Sequence, residues 1–112
     1  MGKVLQIRVI ATTWNDDLVE DYWPRLARLS FGLPIKFENH GVLEMVRGLA
    51  EGLQFMKWSD ARKAAMGPGI EKVAEIRREI EKALSDWNPR QANELSNQLE
   101  DALDQLERAY VA

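Results

Sequence analysis

Apolar and polar positions along this chain first repeat every two residues and later every three to four. Over residues 3–13, Leu5, Ile7, Val9 and Ala11 alternate with Gln6, Arg8 and Thr12, the period of a half-buried strand. Val4 and Ile10 interrupt the polar face, so partial cover is expected on both sides. Thr13 and Asp16 resemble a capping box, and Asp16, Asp17, Glu20 and Asp21 place negative charge in the opening turns of a helix, where the helix dipole favours it. Leu18, Tyr22, Leu26 and Leu29 share one face. Pro24 should kink this helix near Glu20 or Asp21, or restart it, and the helix should end by Ser30, before Gly32. Leu33, Pro34, Ile35, Lys36 and Phe37 alternate again and predict a second strand, with Pro34 at an edge or a strand start.

Asn39, His40 and Gly41 form a predicted turn, after which Val42, Met45, Val46, Leu49, Leu53 and Met56 make a helical stripe. A third strand over residues 42–47 competes with it and would give a β-α-β-β-α order, like the start of a ferredoxin-type fold. The helix is preferred because the stripe stays in phase through Met56. Gly48 and Gly52 leave one small-residue face where another backbone could approach. Ser59 or Asp60 caps a short helix through Ala65, which Gly67, Pro68 and Gly69 are expected to end. Ile70, Val73, Ile76, Ile80, Leu84 and Trp87 then recur at helical spacing. Asn88 and Pro89 supply a cap and a first-turn proline, followed by Ala92, Leu95, Leu99, Ala102, Leu103, Leu106 and Tyr110. Two helices of similar length joined this closely pack antiparallel.

The expected fold is therefore one α+β domain over residues 1–112, predominantly helical. A small two-stranded, or alternatively three-stranded, N-terminal β-α-β element is packed by helices, with residues 1–58 forming the β-α-β-α portion. Residues 59–112 form a helical portion that contains an antiparallel hairpin at 70–110.

Composition narrows the chemistry. With 46% apolar and 29% charged residues, 112 residues can bury a modest core without cross-links. The chain has no cysteine, which removes disulfides, thiol nucleophiles and cysteine-ligated metals and favours a cytoplasmic location. No run reaches the ~18 apolar residues of a membrane helix, and the start has no signal-peptide pattern. Net charge is −3, so direct nucleic-acid binding is not expected. The charge is uneven: residues 84–112 carry six acids and two bases, a net of −4, whereas residues 25–63 carry seven bases against four acids. That basic excess could dock an acidic partner, including the last helix of another copy.

The single histidine, His40, lies four residues before Glu44. If residues 40–44 were helical, the two would share a face as an acid/base pair or as metal ligands. A lone histidine beside glycine in a turn is more often a surface residue, so these two are the weak catalytic candidates. No cofactor or metal is expected. The carboxylates at residues 16–21 face no second cluster, and the serines lack a nucleophile setting. The Gly67–Pro68–Gly69 loop lacks the Lys-Ser/Thr of a phosphate loop. Four tryptophans, Trp14, Trp23, Trp58 and Trp87, are more than a core of this size needs, and tryptophan is enriched at interfaces.

The leading expectation is a non-enzymatic protein acting by protein–protein association, as a homodimer or with another protein. A small-molecule site or enzyme pocket near Trp14, His40, Glu44 and Trp58 is the alternative. A regulatory partner of a nucleic-acid machine that does not itself touch nucleic acid is a third. Tryptophans converging on one concave site would favour the pocket, and dispersed tryptophans would favour association.

Overall fold

A computed structural model describes residues 4–7, 11–13 and 15–111. Strands β1 (Leu5–Ile7) and β2 (Ala11–Thr13) precede five helices: α1 (Asp17–Tyr22), α2 (Pro24–Phe31), α3 (Val42–Phe55), α4 (Asp60–Ser85) and α5 (Pro89–Arg108). The molecule is predominantly helical, and among the described residues there is no β-α-β element of the kind expected. β1 and β2 pair antiparallel with each other, Leu5 opposite Thr13 and Ile7 opposite Ala11. Residues 3–13 are thus not one strand. Alternation looks the same along one strand and along two strands paired antiparallel, and the sequence between Ile7 and Ala11 contains none of the glycine, proline or asparagine that usually separates two strands. Residues 8–10 lie outside the described residues.

The second predicted strand is also overturned. Residues 33–37 form no strand, so the three-stranded alternative falls as well, and residues 42–47 lie inside α3. The alternation did report burial correctly. Leu33, Ile35 and Phe37 are half-buried, whereas Pro34 and Lys36 are exposed. What is missing is a backbone partner, without which an extended segment is a loop.

Pro24 restarts the helix. It takes the first position of α2, and Trp23 before it leaves the helical region at φ −134° and ψ 63°, as the residue preceding a proline tends to. The cap of α1 is Asp16, not Thr13, which belongs to β2. At the start of α3, Glu44 accepts the Gly41 N–H at 3.2 Å. This is half of a capping box, because glycine has no side chain to return the bond.

The largest correction among the helices is α4, which runs through Gly67, Pro68 and Gly69. Met66, Ile70 and Val73, at helical spacing, are all fully buried and hold the segment in register. Pro68 and Ala64 are exposed, so water can reach the Ala64 carbonyl that loses its partner. The resulting 26-residue helix, about 39 Å long, sets the 40 Å long axis of the molecule. A Cβ on Gly69 would meet Leu106 Cδ1 at 2.9 Å, so α5 lies close against this stretch. Residues 69 and 106 are nearly equidistant from Asn88, which makes α4 and α5 antiparallel.

Helices α2, α3, α4 and α5 each touch the next, and α2 also touches α5, closing a ring around the core. Gly48 and Gly52 on α3 admit side chains rather than a backbone. A Cβ at Gly48 would fall 2.0 Å from Ser30 Oγ, and one at Gly52 would fall 2.4 Å from the Trp58 ring. Ser30 in turn donates to the Met45 carbonyl at 2.8 Å, joining α2 to α3.

Candidate functional site

The acidic last helix turns much of its charge inward. Glu100, buried at 8% exposure, accepts the amides of Val4 and Leu5 at 3.0 and 2.9 Å. One turn on, Asp104 accepts the indole N–H of fully buried Trp23 at 2.8 Å. Glu107 accepts the backbone N–H groups of Arg25 and Leu26, each at 3.0 Å, and pairs with the Arg25 guanidinium. Helix α2 has no side-chain cap of its own, so Glu107 caps it from the far end of the sequence. The excess of acids in residues 84–112 and of bases in residues 25–63 therefore meet partly within one chain.

His40 and Glu44 are not brought together as a pair. Helix α3 begins at Val42, so residues 40–44 do not share a helical face, and Glu44 is engaged by Gly41. His40 stacks on Phe31, with ring centroids 4.2 Å apart and planes 10° apart. It borders a cleft of about 360 Å³ with Asp16, Asp17, Glu20 and Glu38. No group of three histidine or acidic residues among the described residues is placed to hold a metal ion. Among the described residues no hydrogen bond joins His40 to a carboxylate.

The three described tryptophans do not converge. Trp23 is inside the core. Trp58 covers Gly52, with the Arg62 guanidinium 5.4 Å from its ring centroid. Trp14 lies outside the described residues.

Trp87 stands apart at the hairpin tip. It is 78% exposed and is the one non-glycine residue with positive φ among the described residues, at 57°. Its N–H donates to the Leu84 carbonyl at 3.1 Å, and the Asn88 N–H donates to Ala83 at 2.8 Å. These two bonds make a Schellman ending, whose left-handed position is normally glycine. Asn88 then caps α5 by accepting the Gln91 N–H at 3.2 Å. The sequence marks the turn but not the indole's exposure. Trp87 continues the apolar stripe of α4 and reads as its last core residue, until the helix is seen to end two residues earlier.

A groove of about 370 Å³ runs between α3 and α4, lined by Ala50, Leu53, Ile70 and Ala74, with Gln54, Glu71 and Arg78 completing it. No helix among the described residues is long and apolar enough to cross a membrane. Comparison with known proteins adds no relative: no family model, curated protein or solved structure matches the chain.

Proposed function

We propose that this chain is a non-enzymatic association protein and that it self-associates through the tip of the α4–α5 hairpin. The observation carrying this reading is Trp87, an almost fully exposed indole held in the left-handed region. That backbone conformation costs a bulky residue about 1–2 kcal/mol relative to glycine. With the residue 78% exposed, most of the ring's burial energy is left unrealised within the monomer. Strain retained without a local return points to a role outside the fold, and tryptophan is the residue most often found as an interface anchor. The dispersal of the described tryptophans supports the same reading over a ligand pocket.

Sedimentation velocity across micromolar to hundreds-of-micromolar concentrations tests it. The wild-type chain is expected to associate, and Trp87→Gly to weaken association at least about 30-fold, the effect of losing a 2 kcal/mol anchor. Phe55→Ser is the control, because Phe55 is another strongly exposed aromatic (73%) away from the tip. A wild-type chain that stays monomeric throughout, or a Trp87→Gly variant that associates as well as wild type, would sink the proposal.

A further inference from the structure

We infer that the α3–α4 groove is the receptor for Trp87 of a second copy, so that each copy offers both a knob and a socket. This rests on the self-association proposed above and names the surface it uses. The groove is lined by Ala50, Leu53, Ile70 and Ala74, an apolar surface on which the two small side chains leave room for a flat ring. Exposed Gln54 at its edge offers a carbonyl to the indole N–H, which needs an acceptor once buried.

Charge complements this fit. At the tip, Lys82 and Asp86 approach each other at 4.0 Å, which leaves Arg90 as the unbalanced charge. At the groove, Arg78 pairs with Glu75, which leaves Glu71 unbalanced. Neither Arg90 nor Glu71 has an ion-pair partner among the described residues. A positive charge without an ion pair at the tip thus meets a negative charge without one at the groove.

A molecule cannot fill its own groove. Trp87 lies thirteen residues beyond Ala74, about 20 Å along the helix axis. Because the knob follows directly on α4 and α4 forms one side of the socket, two copies with their α4 helices antiparallel would seat both indoles in one two-fold contact. Such a contact closes on itself as a dimer.

The test combines substitutions with mixing, read by sedimentation equilibrium, with circular dichroism melts to show that each variant folds. Ala74→Trp fills the socket and keeps the knob, whereas Trp87→Gly removes the knob and keeps the socket. Each alone should weaken dimerisation at least 30-fold, and mixing the two should restore a one-knob heterodimer. Independently, Glu71→Lys and Arg90→Glu should each weaken the dimer about tenfold, and the double variant should recover most of that loss. This charge pair decides the matter if Ala74→Trp does not fold. Should Trp87→Gly abolish dimerisation while Glu71→Lys and a folded Ala74→Trp dimerise like wild type, the groove assignment is overturned and tip-mediated association stands. A wild-type monomer overturns both.

Discussion

At the scale of single residues, Trp87 and Glu107 show opposite uses of a side chain. Trp87 occupies a glycine position in a helix ending and leaves its ring in water. Trp87→Gly should therefore stabilise the monomer by about 1 kcal/mol. The measurement is chemical denaturation at sub-micromolar concentration, where association adds nothing to stability, and an unchanged or lower midpoint would contradict the strain argument. Glu107 instead spends its carboxylate on the fold, taking two amides at the start of α2 and the Arg25 guanidinium. Glu107→Ala removes charge-assisted bonds and a helix cap together, and should destabilise the protein by about 2–3 kcal/mol. Glu107→Gln should lose less, because an amide oxygen can still accept from the α2 amides. Equal losses for the two variants would argue against capping as the main contribution.

At the scale of elements, α4 separates local preference from what packing imposes. Gly67, Pro68 and Gly69 are the strongest helix breakers in the chain, yet they lie inside its longest helix. Ile70 and Val73 were legible in the sequence as the start of a helical stripe; Met66 extends it in phase, and the three outweigh the breakers once α3 and α5 cover that face. A Cβ at Gly67 would meet only Leu53 Cδ1, at 3.7 Å, which is ordinary contact. Gly67→Ala should thus raise stability by about 1 kcal/mol through helix propensity. Gly48→Ala should lower it instead. Its Cβ would overlap Ser30 Oγ and force apart the α2–α3 contact, at about 1–3 kcal/mol for overpacking and more if the Ser30–Met45 bond is lost. Thermal melts of the two variants should move in opposite directions. A shared direction would show that propensity, not space, governs both sites.

At the scale of the whole molecule, distant segments are joined by one row of carboxylates. Glu100, Asp104 and Glu107 lie on successive turns of α5 and bind, in order, the start of β1, the buried indole of Trp23 and the first turn of α2. The N-terminal third is thereby fastened to the C-terminal hairpin. Asp104→Leu should destabilise by about 1–3 kcal/mol, because it strands a buried indole N–H. Trp23→Phe removes that donor, so the same Asp104 change should do less in its background, and a double-mutant cycle with no coupling would disprove the link. The surface charge available to a partner is correspondingly smaller than the −4 of residues 84–112 suggests.

The sequence by itself determined whatever depends on neighbours within a few positions. Helical spacing in residues 42–56 and 70–106, an interruption of the helix at Pro24 and the Asn88-Pro89 turn all follow from local periodicity and backbone chemistry. Alternation at residues 33–37 predicted which side chains are buried, although not that the segment would lack a strand partner. Only the tertiary structure decided the features that depend on contacts far apart in the chain. It paired residues 5–7 with residues 11–13, carried α4 through its glycines and proline, and turned the acids of α5 toward α2 and β1. It also kept His40 and Glu44 from forming a pair. Trp87 lies between the two cases. Its place beside Asn88-Pro89 was legible, but whether its ring entered the core depended on where α4 stopped, and a Schellman ending left it outside.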